Sequence, residues 1–393
     1  MRVLLVTDIF EGPDQQPWLL DDLANCLLGR GHQVDVLVSG PTRPRGNGEQ
    51  PGTPKGMRVF NVSTSKPRLG SIAKLAGYLE IGLKLHSVGS KWVAQHEYDL
   101  CLYTSIACFS WGLPSRVRRR GGARQLLLFL WDFFPIHQIE IGRISHRWLA
   151  WIMKSIEAIA FRRADFVALM SPANTAFFHR YHPKAINRTL EIPPWSTAEL
   201  PVVTHRDSAV LRVVFGGQLA KGRGIDALLD CCSILRDEDG IEIIVAGDGP
   251  DRARLEASAA ARGLTNVSFL GGLPRPQYRA LAETCDVGVA VTVAGISPPS
   301  FPSKIIEYCR MGLPVLVCTE DSSDAGRTVE AAGAGLSVAA DDPGAMATAL
   351  RQLRAAQLQG GLVHMSGQAR RLFEERFSVV RVAERLERLV NES

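Results

Sequence analysis

The sequence has few of the features that assign a protein to a special class. No apolar run reaches the ~18 residues that a membrane-spanning helix needs. The chain also holds no low-complexity tract and no internal repeat of fixed short period. With 46% hydrophobic and 22% charged residues, its composition is that of an ordinary folded protein and excludes a disordered or fibrous chain.

Paired cysteines are absent too. The eight cysteines are scattered, mostly inside apolar runs, and none belongs to a CxxC motif or stands at metal-ligand spacing from a histidine. This distribution is typical of core thiols in a reducing compartment. Met1–Val6 begins a strand pattern instead of a secretion signal. We therefore expect a cytoplasmic protein.

Strong charge of one sign is also missing. A net charge of +5 and a pI of about 8.8 are too weak to predict a nucleic-acid partner. Basic residues nevertheless cluster in segments 66–92 and 116–124. We expect these segments to meet anionic membrane lipid or a lipid-pyrophosphate acceptor, which would make the protein peripheral on the inner face of the membrane. The alternative is a solvated basic face.

What the sequence does contain is an alternation of strands and helices that starts twice. In the first half, Val3–Val6, a leucine-rich helix and the alternating strand Val34–Val38 predict a β-turn-α-β unit. The second half restarts the same rhythm at Leu211–Phe215. Between the halves, the proline-bearing stretch 193–208 loses periodicity and predicts a hinge between two domains.

A carboxylate follows one strand of the first half. The strand predicted at Gln125–Trp131 ends in Asp132. At the carboxyl end of a parallel strand this side chain would lie where such sheets bind ligands, so we interpret it as a site residue in preference to a helix N-cap. His137 could reach the same region, but a partly exposed loop histidine is the favoured interpretation.

Three glycine-bearing turns follow consecutive strands of the second half: Gly216–Gly224, Gly247–Pro250 and Gly271–Pro274. Such turns let backbone N–H groups at a helix N-terminus approach an anion, and Lys221 or Arg223 adds a cation. The first turn matches neither a P-loop nor GxGxxG. Together, however, the three turns predict a nucleotide site.

The stretch Pro298–Tyr308 lies between two predicted buried strands. We expect Ser303 to cap a short helix that ends at Gly312. Glu307 shares a face with Ser303 and is placed to accept both hydroxyls of a ribose. The N–H groups of Ser303 and Lys304, together with the Lys304 ammonium, would face phosphate. The alternative is that Glu307 is merely an exposed helical glutamate.

With these residues in view, the whole chain resembles the retaining nucleotide-sugar glycosyltransferases of the GT-B fold, specifically glycosyltransferase family four. Within that family it is most similar to the branch that builds capsular, exopolysaccharide or O-antigen chains. The resemblance rests on Gly31–Val34, Trp131–Pro135, Ala164-Asp165, Ser171–Asn174, Gly217–Asp226, Ala246–Pro250, Phe269–Gly271, Phe301–Glu307 and Gly312–Val315.

The resemblance implies an α/β protein of GT-B fold, with two Rossmann-like domains facing each other across a deep cleft. It implies an acceptor-binding domain at 1–195, a linker at 196–209 and a nucleotide-sugar-binding domain at 210–376. A C-terminal helix at 377–393 would pack back towards the first domain. Transfer would retain the anomeric configuration, with no metal and no cofactor beyond the nucleotide-diphosphate sugar as co-substrate. Stabilisation of the leaving diphosphate would be the main catalytic term.

Carried onto this sequence, the family pattern assigns roles to individual residues. The first-domain histidine of the family falls near Trp131, which leaves Asp132 as the nearest polar group. The predicted catalytic residues are Asp132, Lys221 and Arg223; the donor-nucleotide residues are Gly217, Gln218, Gly247, Gly249, Leu270, Gly271, Ser303, Lys304 and Glu307; the donor-sugar residues are Ser297, Ser300 and Phe301.

Other positions depart from the family pattern. The family has two glutamates eight positions apart; Glu307 matches the second, but Pro299 occupies the first. The arginine and lysine that grip the diphosphate fall on Gln218 and Arg223, so one cation is kept in register and Lys221 is the candidate substitute. A glutamine offers only a neutral dipole where an arginine binds phosphate through two hydrogen bonds.

We therefore expect a hexosyltransferase that moves a hexose or N-acetylhexosamine from a nucleotide-diphosphate sugar, with UDP as the nucleotide, to a lipid-linked saccharide in surface polysaccharide biosynthesis. Two alternatives stay open. A UDP-sugar 2-epimerase of the same fold would need carboxylates and a histidine around the sugar, which Pro299 and Trp131 disfavour. A degenerate transferase acting as a binding subunit accords with Pro299 and Gln218.

Overall fold

Two compact units make up the chain. The first comprises Met1–Pro193 and Val379–Ser393, and the second comprises Pro194–Ser378. The computed structural model describes residues 1–10, 19–40, 47–63, 77, 80–104, 112–119, 122–142, 147–185, 188–197 and 209–392. Most of the predicted hinge, and parts of both basic segments, lie outside these ranges.

The first unit contains strands that are almost continuous in apolar residues, as expected for strands covered on both faces. Its elements are β1 Arg2–Thr7, α1 Leu19–Gly29, β2 Gln33–Gly40, β3 Gly48–Glu49, β4 Met57–Ser63, a π-helical turn Leu85–Gly89, α2 Ser90–Val93, β5 Tyr98–Thr104, α3 Leu113–Arg119, β6 Ala123–Leu130, α4 Ile136–Glu140, α5 Arg147–Phe161, β7 Phe166–Leu169, α6 Pro172–Tyr181 and β8 Arg188–Glu191.

The second unit repeats the strand and helix alternation. Its elements are β9 Leu211–Gly216, α7 Ile225–Ile234, β10 Ile241–Ala246, α8 Arg252–Ala261, β11 Val267–Gly271, α9 Arg275–Ala282, β12 Val287–Val291, α10 Ser303–Met311, β13 Val315–Thr319, α11 Ala325–Ala331, β14 Gly335–Ala339, α12 Pro343–Leu358, α13 Gly361–Leu372 and a π-helical turn Phe373–Phe377. The chain then returns to the first unit with α14, Val379–Asn391.

Each unit is built on one sheet of largely parallel strands. The described strands run in the order β3-β4-β2-β1-β5-β6-β7-β8 in the first unit and β11-β10-β9-β12-β13-β14 in the second. Only the short β3 pairs antiparallel among them. Strand order reverses direction at β1 and at β9, and open parallel sheets bind ligands at the carboxyl ends of the strands at such switch points. In the second unit this position is the end of β9, at Gly216.

The C-terminal helix α14 is fixed to the start of the first unit by charge. Glu387 accepts hydrogen bonds from the Arg30 guanidinium at 2.8 and 2.7 Å, and its carboxylate lies 2.7 Å from His32 Nε2. These contacts lower the pKa of Glu387 to about 2. The last helix therefore completes the first unit although 185 residues of the second unit, Pro194–Ser378, precede it in the chain.

The structure confirms several predictions about local elements. Six of the seven described cysteines are buried, with Cys26 partly exposed. Ser171 caps α6 as predicted, accepting a hydrogen bond from the Asn174 N–H with Pro172 in the first turn.

No helix in the described part of the chain is both long enough and apolar enough to cross a membrane.

Candidate functional site

The glycine turns after β9 and β10 form one surface at the switch point of the second unit. The Gly217 N–H donates to the Ala246 carbonyl at 2.9 Å, and the Leu219 N–H donates to the Asp248 carbonyl at 2.9 Å. These bonds cross from one turn to the other. The turns that we predicted separately are therefore held side by side.

Glycine is required where these turns meet the helix α10. Gly217 has φ +155, and a Cβ there would lie 2.5 Å from both Cε and Nζ of Lys304. A Cβ on Gly247 would overlap the carbonyl oxygen of Gly217. The absence of side chains thus lets the two turns and the lysine approach one another closely.

Lys304 is the most unusual charged residue of this surface. It is partly buried, and its ammonium lies 5.7 Å from the centre of the Phe215 ring. Burial, with the charge of Arg223, lowers the pKa of Lys304 to about 8. In the part of the chain that the structure describes, no carboxylate forms an ion pair with Lys304, Arg223 or Lys221. An unpaired, desolvated cation beside glycine turns favours an anionic ligand.

The beginning of α10 differs from the prediction in one respect. Pro302, not Ser303, is the N-cap residue: it is extended, at φ −61 and ψ 121, and Ser303 is already the first helical residue. The Ser303 hydroxyl therefore does not cap the helix. Among described residues, the backbone N–H groups of Ser303 and Lys304 have no acceptor within the chain, as expected for a first turn. These two N–H groups are the ones that we predicted to face phosphate. Gly312 ends the helix at φ +72, as predicted.

Glu307 is not the freely exposed glutamate of the alternative interpretation. Its side chain is 28% exposed, and Arg310 binds both carboxylate oxygens at 2.8 and 3.2 Å. Arg279 on α9 approaches Oε1 at 3.4 Å. These arginines orient the carboxylate. Because a carboxylate has about four acceptor positions, at least one stays available to a ligand hydroxyl.

Two tyrosines that the sequence analysis did not single out organise the switch point. The Tyr308 hydroxyl accepts a hydrogen bond from the Gly216 N–H at 3.2 Å and donates to the Val214 carbonyl at 3.1 Å. The Tyr278 hydroxyl donates to Tyr308 at 3.1 Å, and the Tyr278 ring packs over Gly216. Tyr308 thereby fixes α10, which carries Lys304, to the end of β9.

The loop after β13 forms hydrogen bonds with the predicted donor-sugar stretch, at Ser300. The buried Glu320 carboxylate accepts the Ser300 N–H at 2.6 Å and the Thr292 hydroxyl at 2.6 Å. Ser323 donates to the Ser300 carbonyl at 2.7 Å. A carboxylate, that of Glu320, therefore binds the backbone of this stretch, in which Pro299 stands where the family that the sequence resembles has its first glutamate.

The remaining predicted donor residues occupy different environments. Phe301 is 5% exposed and packs against Phe377, with ring centres 5.8 Å apart, so its side chain belongs to the core. Gln218 is exposed, and Leu270 is 47% exposed at the end of β11. Ser297 is partly exposed. Gly249 in the turn after β10 and Gly271, the last residue of β11, both have positive φ.

Asp132 belongs to the first unit, where it follows β6 and is exposed. It does not cap the next helix, because the N-cap of α4 is Pro135. The interpretation of His137 as a loop histidine was wrong. His137 is a partly buried residue of α4, since the chain turns into a helix directly after Pro135.

The residues that sequence reasoning missed are mostly partners from distant segments. Arg310 stands three residues after Glu307 and was detectable from helical spacing. Tyr278, Arg279 and Glu320 carry no motif of their own, and their contacts with Tyr308, Glu307 and Ser300 span 20 or more residues of the chain. Within the described residues, no group of three or more His, Cys, Asp or Glu side chains is placed to hold a metal ion.

The chain is similar to several known proteins. Residues 211–355, most of the second unit, match the family described as "Glycosyl transferases group 1". The chain is 28% identical over 161 residues to a protein of Escherichia coli (strain K12) named for colanic acid biosynthesis as glycosyl transferase WcaI. That match spans 37% of this chain and 39% of the relative's own length.

Solved structures resemble the chain over its whole length. Sucrose-phosphate synthase from Thermosynechococcus elongatus matches with a TM-score of 0.77 and 18% identity, covering 100% of this chain and 99% of that one. Anabaena HepE in complex with UDP and glucose matches with a TM-score of 0.66 and 16% identity, with the same coverage. At this identity the likeness establishes the fold, and it confirms the predicted two-domain α/β architecture of GT-B type.

Proposed function

We propose that this protein is a retaining glycosyltransferase of family four. In this proposal it moves a hexose or an N-acetylhexosamine from a UDP-linked donor to a lipid-linked saccharide during surface polysaccharide synthesis. The observation that carries the proposal is the unpaired Lys304 ammonium against Gly217 at the switch point. A group 1 domain over residues 211–355 supports a transferase activity.

The donor would be bound by the second unit through groups of different chemistry. The N–H groups of Ser303 and Lys304, the Lys304 ammonium and Arg223 would bind the diphosphate, with Lys221 close by in sequence. Glu307, oriented by Arg310, would accept the ribose hydroxyls. The turn glycines Gly247, Gly249 and Gly271, with Leu270 beside them, would accommodate the base.

The chemistry would require little from protein carboxylates. The acceptor hydroxyl attacks the anomeric carbon as the bond to the diphosphate breaks on the same face, and the proton passes to the leaving β-phosphate. Negative charge then grows on the diphosphate, where Lys304 and Arg223 would stabilise it. Asp132 of the first unit is our candidate polar group on the acceptor side. No metal is needed in this scheme.

The choice of UDP and of a polysaccharide pathway rests on similar proteins. HepE was solved with UDP and glucose, and WcaI is named for colanic acid biosynthesis. We also propose that the basic segments 66–92 and 116–124 meet a membrane or the acceptor's pyrophosphate. Several described cations in these segments already have partners in the first unit: Lys84 pairs with Glu80 and Arg118 with Asp165.

Mass spectrometry of lipid-linked saccharides in cells lacking the protein tests the proposal. We expect an incomplete saccharide to accumulate, one sugar short of the next intermediate. Purified protein should then extend that saccharide with a UDP-sugar, and Lys304→Gln should abolish most of this transfer. An Arg236→Gln variant is the matched control, because Arg236 is exposed and, among the described residues, pairs with its neighbour Asp237 alone. If cells lacking the protein accumulate no lipid-linked saccharide, the proposal is wrong.

A second candidate function is a binding subunit derived from a transferase, which the exposed Gln218 and the replaced glutamate at Pro299 favour. Cells expressing Glu307→Ala distinguish the two candidates. If polymer synthesis is unchanged in this variant but lost on removal of the protein, the binding role is correct. A 2-epimerase would instead convert UDP-N-acetylglucosamine without any acceptor, and we expect no such conversion.

A further inference from the structure

One buried carboxylate of the second unit binds a backbone N–H and a hydroxyl instead of a cation. Glu320, which follows β13, is 4% exposed. Its Oε1 accepts the Ser300 N–H and its Oε2 accepts the Thr292 hydroxyl, each at 2.6 Å. In the described part of the chain no Lys, Arg or His forms an ion pair with it. A buried charge without a cation is costly, so these two short hydrogen bonds indicate a role beyond holding the fold.

The backbone of Ser300 is held at both its N–H and its carbonyl. Glu320 accepts the N–H, and the Ser323 hydroxyl donates to the carbonyl at 2.7 Å. The Ser322 hydroxyl donates to the Ile296 carbonyl at 3.1 Å. The loop after β13 therefore fixes the stretch between β12 and α10 at two positions.

Proline restricts the same stretch. Pro298 and Pro299 are buried and directly precede Ser300, and Pro302 follows two residues later at φ −61. Each proline fixes its own φ and lacks a backbone N–H. With the backbone held by hydrogen bonds and prolines, the side chain of Ser300 is the part that remains free to adjust.

The Ser300 hydroxyl lacks a partner. Its oxygen is buried and accepts or donates no hydrogen bond among the described residues, although the residue as a whole is partly exposed. A buried hydroxyl in this state costs free energy until it is paired. Rotation about its single χ1 bond moves the hydroxyl to another staggered position without breaking a hydrogen bond. A hydroxyl both donates and accepts, as the hydroxyl groups of a hexose do.

We propose that Glu320 is a positioning residue, which holds Ser300 so that the Ser300 hydroxyl binds a hydroxyl group of the donor hexose. This inference rests on the proposed function, because it takes the stretch before α10 as the donor-sugar region. The stretch leaves β12, which pairs with β9 at the switch point, and enters α10, whose Lys304 lies against Gly217. A hydroxyl on a fixed backbone favours discrimination between hexoses that differ at one hydroxyl group.

Calorimetric titration of the full-length protein with UDP, UDP-glucose, UDP-galactose and UDP-N-acetylglucosamine tests the proposal. The quantity measured is the Kd of the UDP-sugar that the wild type binds most tightly, divided by the Kd of UDP. We expect Ser300→Ala and Glu320→Ala each to raise this ratio by about tenfold, because a hydrogen bond to the sugar is lost. The Kd of UDP should stay within about twofold, because the nucleotide contacts remain.

A matched control is Glu330→Ala. The Glu330 carboxylate also accepts a backbone N–H of the second unit, that of Ser337, at 2.9 Å. Because Glu330 lies on α11 and binds a residue of β14, its removal should leave the ratio unchanged.

The double variant distinguishes positioning from a purely structural role. If Glu320 acts through Ser300, S300A/E320A should raise the ratio by about tenfold, as each single variant does. An additive rise of about a hundredfold would mean independent roles and would overturn the proposal. Glu320→Gln should stay close to the wild type, because its carbonyl oxygen accepts the Ser300 N–H and its amide donates to the Thr292 hydroxyl.

Melting temperatures of all variants show which of them are folded. If Glu320→Ala does not fold, Ser323→Ala replaces it, with an expected rise of about threefold in the ratio because the Ser300 carbonyl loses its donor. An unchanged ratio in Ser300→Ala, or in the folded variant of Glu320 or Ser323, would overturn this inference alone. So would a wild type that binds UDP but none of the three UDP-sugars. A wild type that does not bind UDP would overturn the proposed function, and this inference with it.

Discussion

The two units share an architecture but differ in the surroundings of one partly buried cation in each. In the first unit, Arg58 on β4 binds both oxygens of the buried Asp35 on the neighbouring β2, at 2.9 and 2.6 Å. In the second unit, Lys304 lies partly buried at the switch point and has no carboxylate partner among the described residues. A paired cation holds strands together, whereas an unpaired one costs stability until an anion arrives.

Aromatic residues show the same division. In the first unit Tyr98 donates to Asp35 at 2.7 Å and completes a buried charge network within the sheet. In the second unit Tyr308 and Tyr278 satisfy the backbone around Gly216 and leave the cations free to face a ligand. The hydrogen bonds of Tyr308 and Tyr278 thus shape the backbone at the end of β9.

The largest expected effect is on the stability of the first unit. Arg58→Leu would leave Asp35 with only Tyr98 and the weaker contact to Arg2, so we expect a loss of about 3 kcal/mol in the free energy of unfolding. Urea denaturation measures it. Arg236→Leu, an exposed control, should change stability by less than about 0.5 kcal/mol. If Arg58→Leu lowers the free energy of unfolding by an equally small amount, the pairing of Asp35 contributes little to stability.

The corresponding change in the second unit should affect binding instead of folding. In the proposed site, Lys304→Gln would remove a charge-assisted hydrogen bond to the diphosphate, so we expect UDP affinity to fall by about 30-fold, corresponding to about 2 kcal/mol. Lys304→Arg should retain most of the affinity, and Arg236→Gln should retain all of it. Calorimetric titration measures these constants. Unchanged affinity in Lys304→Gln would remove this lysine from the site.

Glu307 offers a smaller and more selective test. If Glu307 accepts the ribose hydroxyls as we propose, Glu307→Gln would keep the shape of the side chain but weaken these hydrogen bonds, so we expect roughly a tenfold loss of UDP affinity. For 2′,3′-dideoxyuridine diphosphate, which lacks those hydroxyls, the variant and the wild type should bind alike. If the variant loses affinity equally for both ligands, Glu307 acts by holding Arg310 and Arg279 and does not contact the ribose.

The smallest expected effect is a pH dependence. Burial lowers the pKa of Lys304 to about 8, so its ammonium is charged below that pH and loses its proton above it. UDP affinity should therefore weaken as pH rises, by about fourfold between pH 7 and pH 8.5. Lys304→Arg stays charged and should show a flat profile over this range. A flat profile in the wild type would mean that Lys304 does not titrate there.

The sequence predicted the parts of this molecule that depend on local pattern. Strands such as Ile241–Ala246 and the glycine turns were recognisable because apolar runs and turn residues act over a few positions. The N-cap of α10 was predicted one residue too late, at Ser303, because Pro302 already adopts the extended conformation that an N-cap needs. With either N-cap, the N–H groups of Ser303 and Lys304 have no acceptor among the described residues.

The contacts that hold the site could not be predicted in the same way. Tyr308 meets Gly216 across 92 residues of chain, and Glu320 meets Ser300 across 20. Such pairs are created by the order of strands in the sheet, which no local pattern encodes. Likewise, Trp148 and Trp151 of α5 are 55% and 71% exposed, which helical spacing alone does not show.

We propose that the unpaired cations of the second unit form a site for a nucleotide diphosphate. Titration of the purified full-length chain with UDP and, separately, with NAD tests it most directly. We predict saturable binding of UDP that Lys304→Gln weakens, and no saturable binding of NAD. Saturable binding of NAD without binding of UDP would show that the second unit has no such site for UDP.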